Sequence, residues 1–177
     1  MRASRRLPSL RRQLVFLRIR RALGETARSW FRVVHFSVQQ DHIHLIIEAN
    51  DRLTLSRGMA GLSIRLARAI NHVCGRTGKV WSDRYHSRAL GSPREVRNGL
   101  VYVLLNFRKH LLGAKGIDPM SSGFWFDGWK VPSSQDEPPN WNASDRVPVQ
   151  PPLTWLAQTG WKKRGLLALT EHPKSPG

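Results

Sequence analysis

The sequence predicts an α+β fold, an antiparallel β-hairpin with helices packed against it. Two adjacent segments are rich in aromatic and β-branched residues, the pattern of paired strands. They are followed by apolar residues spaced three or four apart, the repeat of an amphipathic helix. A third signal, Ser92-Pro93-Arg94-Glu95, combines a capping box with proline at the first helical position.

In chain order, Leu10, Leu14, Leu17 and Leu23 lie close to one helical stripe, so a basic helix is expected to open near Pro8. Residues 31–39 (FRVVHFSVQ) and 42–49 (HIHLIIEA) read as strands, separated by the polar break Gln39-Gln40-Asp41. Leu55, Met59, Leu62, Leu66, Ile70 and Val73 then mark a helix that Gly75 stops, with Arg65, Arg68 and His72 on its other side. Residues 80–90 (VWSDRYHSRAL) predict a further strand that alternates Arg84, His86 and Arg88 onto one face. In the helix after Pro93, Val96, Leu100, Val103, Leu104, Phe107 and Leu111 form an apolar stripe. Tyr102 and Asn106 lie on the polar face, with Glu95, Asn98 and Lys109.

The chain has 177 residues, and 29 Lys and Arg against 12 Asp and Glu give a formal charge of +17. That length suits one domain and a tail. The charge points to a polyanionic partner, because each neutralised phosphate releases condensed counterions. The single cysteine, Cys74, excludes an intrachain disulfide framework and a thiolate zinc cluster. No apolar run approaches the ~20 residues of a membrane span, so no membrane partner is expected. Residues 1–30 carry nine Arg and one acid, but the leucine spacing favours a permanent basic helix over a transit peptide, and no secretory pattern follows Arg5-Arg6. Residues 113–177 hold nine of the eleven prolines and five of the seven tryptophans. The expected organisation is therefore a core at 1–112 and a Pro/Trp-rich extension at 113–177. Within the extension, 131–152 is expected to be a partly disordered linker, and 154–169 a short basic helix docking back through Trp155 and Trp161.

The chemistry concentrates in two elements. His42 and His44 are two apart on a strand, so both imidazoles point to one side while Ile43, Leu45 and Ile47 point to the other. Two neighbouring imidazoles can begin a divalent metal site, though the pair alone reads more simply as two satisfied or solvent-facing histidines on a hairpin. Tyr102 is turned away from its helix's apolar stripe, and Asn106 follows one turn later, so both side chains reach toward the same region. A phenol of ordinary pKa ~10 is seldom ionised at neutral pH, and a nearby cation that polarises the electrophile would help such a nucleophile. The bland reading of this helix is an exposed tyrosine with an incidental asparagine.

Taken together, DHIHLIIE at 41–48, GKVWSDRYHSR at 78–88 and YVLLN at 102–106 resemble the single-tyrosine HUH transposases, in particular the REP-associated tyrosine transposase branch. The resemblance covers roughly Leu7 to His110, and the order and spacing of the parts are more specific than any one motif. It implies a ferredoxin-like α+β core and strand transfer on single-stranded DNA, often beside a hairpin, in a cytoplasmic, nucleoid setting. Carried over by position, His42, His44 and Asn106 would ligate magnesium or manganese. Tyr102 would be the nucleophile that forms a 5′-phosphotyrosine link and frees a 3′-hydroxyl. Arg65, Arg68, Arg84, Arg88 and Lys109 are the expected DNA contacts. A homodimer exchanging tyrosine helices is a further expectation.

Three departures from that pattern matter. Asp41 stands where the family usually has Asn, and Phe107 stands where it usually has Pro. The family's first strand is expected to be missing, because residues 1–7 are basic and carry no strand pattern, as a misassigned start or a truncated gene would leave them. Two other functional classes remain beside strand transfer: a non-catalytic single-strand or hairpin binder, and a basic structural protein of a ribonucleoprotein.

Overall fold

The computed structural model describes residues 1–110, 115–130 and 146–173, without the side chains of residues 109 and 110. The class is α+β. Strands β1 (Phe31–Val38) and β2 (Ile43–Ala49) pair antiparallel from Phe31 opposite Ala49 to Val38 opposite Ile43. One irregularity interrupts the ladder, where Val33 opposes Ile47 but His35 opposes Ile46. Such a bulge lets two consecutive residues share a face. Val33, Phe36 and Val38 pack into one apolar cluster, whereas Val34 joins Ile46 in a second.

Helices α1 (Gln13–Gly24) and α2 (Arg52–Val73) cover the first face. The first helix starts later than the sequence suggests, because the turns before it are tied elsewhere: Leu7 bonds back to Ser4, and Leu10 donates to the Gln40 carbonyl. Its buried stripe is Val15, Phe16, Ile19 and Leu23, while Leu14 is 70% exposed. Leu10 is fully buried, but from the preceding turn. Asp51 caps α2 by accepting the Thr54 N–H at 2.7 Å, and Gly75, with φ +59°, lets the chain leave it.

Gly58 of α2 sits directly over Phe31 of β1. A methyl group there would fall 2.0 Å from the Phe31 ring, which is itself buried. Gly58→Ala is therefore expected to destabilise the protein by about 2 kcal/mol, overpacking outweighing the ~1 kcal/mol gain in helix propensity. Urea unfolding checks this, and an unchanged midpoint would contradict the close approach.

Both edges of the hairpin are occupied. Residues 1–3 lie along β2: Ile43 donates to the Met1 carbonyl at 2.9 Å, Ala3 donates to Asp41 at 2.7 Å, and Arg2 bridges to His42. The stretch at the start of the chain thus pairs as an edge despite its lack of strand pattern. Ala3 bridges in turn to Trp81. Beyond that bridge, residues 82–91 are not a strand, so nothing enforces an alternation of Arg84, His86 and Arg88, and all three are exposed.

On the other edge, Val38 donates to Met120 and Ser122 donates to Phe36, each at 2.9 Å. Asp118, fully buried, accepts two hydrogen bonds from the Arg11 guanidinium at 2.9 and 2.7 Å. The second face of the sheet carries α3 (Pro93–Leu105), which continues after Asn106 into α4 (Phe107–His110). Ser92 caps α3 as expected by accepting the Glu95 N–H. The capping box is not closed, since Glu95 accepts from the Gly91 N–H and the Ser92 hydroxyl rather than from the Ser92 N–H. Val96, Leu100, Val103 and Leu104 are buried, together with Val101 and Leu105. Leu111 lies outside the described residues.

Residues 155–169 return to this face through Leu156, Trp161, Leu167 and Leu169, whereas Val149 packs on the first. The only helix among them is α5 (Trp155–Gln158), followed by a 3-10 turn at Gly160–Arg164, so the expected helix over 154–169 is shorter and broken. Trp161 docks as expected and is 1% exposed, but Trp155 is half in solvent. Of the expected linker, 131–145 lies outside the described residues. Gln150 pairs with Val33 of β1 at 2.9 Å. Among the described residues no helix is long and apolar enough to cross a membrane.

His35, placed on this face by the bulge, lies edge-on to Phe126 and shares a 3.1 Å hydrogen bond with Ser122. Burial lowers its pKa from the usual 6.5 to about 4, with Asp127 opposing weakly. The unfolded chain then binds more protons between those values, so this histidine's contribution is complete above pH ~6.5 and is lost as pH falls toward 4. The loss is about 3 kcal/mol. In His35→Phe, the pH dependence of unfolding free energy in that window should flatten by about one proton; an unaltered slope would contradict the burial.

Candidate catalytic centre

The hairpin turn and the end of α3 meet on the second face. His42 stands at the mouth of β2 and His44 on it, and with side chains alternating both imidazoles turn toward α3. Their Nε2 atoms approach to 2.8 Å, with ring centroids 4.5 Å apart and planes at 82°. From α3, Asn106 brings its carboxamide nitrogen to 3.0 Å from His44 Nε2 and is itself buried. Tyr102, one turn earlier and half-buried, lies edge-on to His44 with centroids 4.8 Å apart. The four residues singled out from two separate elements converge on the His44 ring.

A carboxylate orients the pair. Asp41 Oδ1 lies 2.7 Å from His42 Nδ1, and Arg2 Nε donates to the other carboxylate oxygen at 3.2 Å. The hydrogen bond to His42 first, and then the hydrogen bond and charge of Arg2, hold the Asp41 carboxyl below its ordinary range despite a little burial. With Nδ1–H engaged by Asp41, His42 presents a bare lone pair at Nε2. At 2.8 Å from it, His44 Nε2 supplies the proton of that contact, which a bound cation would displace, and a half-turn of the Asn106 side chain would add its carbonyl oxygen. Two neutral ring nitrogens and an amide oxygen aimed at one point are a donor set that fits a divalent cation. Among the described residues, no cluster of three or more His, Cys, Asp and Glu side chains is placed to hold a metal, so the set depends on the amide of Asn106.

The cationic side chains expected at DNA are spread over the molecule. Arg65 lies on α2, half-buried, with Nη1 3.7 Å from Glu25 at the end of α1. Arg68 is exposed on the same helix, across the sheet from Tyr102. Arg84 is exposed in the segment after Trp81, and Arg88 is exposed and donates to Glu95 of α3 at 3.0 Å. The Lys109 side chain lies outside the described residues. Asp41 precedes His42 in the sequence and so sits near the pair, but Arg2, which braces it, carries no sequence signal, because its partner is 39 residues away.

A family model described as "Transposase IS200 like" matches residues 1–103. The match takes in Asp41, both histidines and Tyr102, and ends before Asn106. No curated protein and no solved structure matches the chain.

Proposed function

We propose, from the premise that the chain belongs to the IS200-like transposase family, that it cleaves and rejoins single-stranded DNA in a divalent-metal-dependent reaction with Tyr102 as nucleophile. The observation that carries this reading is the shared contact of Tyr102 and Asn106 with His44, next to His42. His42, His44 and Asn106 would hold the cation, magnesium or manganese, whose chemistry is to polarise the scissile phosphate and offset charge developing on its oxygens. The Tyr102 oxygen attacks phosphorus and loses its proton to solvent. One P–O bond forms to the phenol and one breaks to the 3′ oxygen, which takes a proton and leaves as a hydroxyl. Because a phosphodiester is exchanged for a phosphodiester, the step needs no ATP, and reversing it rejoins DNA. Arg68, Arg84 and Arg88 are exposed and would contact phosphates; the +17 charge supports a polyanionic partner.

Incubation with a labelled single-stranded hairpin DNA and manganese should yield an SDS-resistant adduct that chelation prevents. His44→Ala should lower its yield at least about 100-fold, and Asp41→Ala, which frees His42 to turn, about 10–100-fold. Hairpin binding without any adduct from the unmodified protein would favour the non-catalytic binder instead.

A further inference from the structure

Segment 81–87 and helix α2 line a half-open pocket of about 580 Å³, within the ~300–1,000 Å³ typical of small-ligand sites. Neither histidine, Tyr102 nor Asn106 lines it, so it is separate from the centre described above. Its lining combines the aromatic side chains Trp81 and Tyr85 with the charged Arg84 and Asp83. The indole is pinned, since Trp81 Nε1 donates to the Ser63 carbonyl of α2 at 3.0 Å. Asp83 is engaged by the Ser82 hydroxyl at 2.9 Å, and Arg84 is exposed at the rim.

The cavity is physically coupled to the strand of the histidine pair. Met1 lines it, and the same residue exchanges two 2.9 Å backbone hydrogen bonds with Ile43, which stands between His42 and His44. Ser82 holds the Arg2 carbonyl at 3.0 Å from the other side. The recess lies on the α2 side of the sheet and the centre on the α3 side, so a nucleic-acid strand leaving the centre around the edge formed by residues 1–3 would meet a fixed aromatic recess. Aromatic walls suit any base through its π-face, and a guanidinium at the mouth suits the phosphate that accompanies it. A duplex stem offers neither an unpaired base nor access to such a recess.

We propose that this cavity receives one unpaired nucleobase of the single-stranded DNA substrate, stacked on Tyr85, with Arg84 on its phosphate. The inference rests on the strand-transfer reading and adds a base-binding subsite to it. The test compares a hairpin DNA carrying a single-stranded flank, the same DNA with one abasic residue moved along that flank, and the bare stem. The unmodified protein should lose about tenfold in affinity at one abasic position. Tyr85→Ala should lose about tenfold on the intact flank, show no further loss at that position, and bind the bare stem normally. Tyr85→Phe, which keeps the ring, should restore binding, and Arg84→Ala should weaken the flanked DNA alone. The proposal is overturned if Tyr85→Ala binds the intact flank as tightly as the unmodified protein, or loses affinity equally on flank and stem. Adduct formation on the flanked DNA separates the two readings. Adduct without any abasic effect removes the subsite only, whereas no adduct and no binding removes strand transfer and the subsite with it.

Discussion

Tyr102→Phe is expected to reduce the covalent DNA adduct by at least about 1,000-fold while leaving hairpin affinity within a few-fold. The substitution removes one oxygen and keeps the ring that lies edge-on to His44. Tyr102 packs partly against the cluster of Val96, Leu100 and Leu104, and phenylalanine preserves that contact. Loss of the hydroxyl should therefore cost stability only about 1 kcal/mol. A 1,000-fold loss in a step corresponds to about 4 kcal/mol of barrier, which a neighbouring side chain or water cannot restore when the attacking atom itself is gone. The measurement is the yield of protein–DNA adduct on a denaturing gel, set beside a binding isotherm for the same DNA. Equal adduct yields from the two proteins would exclude the phenol as nucleophile. A parallel fall in binding and adduct would mean instead that Tyr102 holds the DNA rather than attacks it.

The parts of this centre were legible because each obeys a short-range period. A spacing of two on a strand sets His42 and His44 side by side, and a spacing of four on a helix sets Tyr102 and Asn106 one above the other. Their convergence was not written in either period. It depends on which face of the hairpin α3 covers, the face on which the bulge after Val33 sets both Val34 and His35 beside Ile46. A bulge adds one residue to one strand and leaves almost no mark in composition. Arg2 illustrates the same limit. Its guanidinium braces Asp41 only because residues 1–3 pair with β2, and that pairing uses backbone groups that every sequence possesses.

Where the fold departed from expectation, a tertiary contact overrode a local pattern. The leucine stripe of the first helix fails at Leu14, since α2 and the sheet bury Val15, Phe16 and Ile19, roughly 100–160° around the helix from it. Past the Ser82 bond to Arg2, residues 83–90 have no strand beside them among the described residues, and alternation alone does not make a strand. Conversely, 118–129 carried no recognisable period, yet Asp118 anchors Arg11 and Ser122 extends the edge of β1. Capping and hydrophobic signals for α3 agreed with each other and with its packing, which is why that helix was read almost to its ends.

Trp161→Ala is expected to have the largest effect on stability, about 3–5 kcal/mol, the usual cost of deleting a buried tryptophan. The ring is stacked on Phe126 with centroids 5.4 Å apart, and its Nε1 donates to Ala157 at 3.1 Å. A methyl group on Gly128 would fall 2.2 Å from it, so the backbone at 128 is already in contact and cannot collapse much further into the cavity. Around it stand Val34 and Ile46 of the sheet and Leu100 and Leu104 of α3, the helix that carries Tyr102. The loss should appear as a lower urea midpoint with little change in slope, and as a melting temperature reduced by roughly 6–20 °C. Adduct yield should fall with it at temperatures where the parent is still folded, because α3 loses the surface that presses Tyr102 and Asn106 toward His44. A change of less than about 1 kcal/mol would mean that the returning C-terminal segment does not support α3 in solution. Helix α3 would then have to be held by the sheet alone.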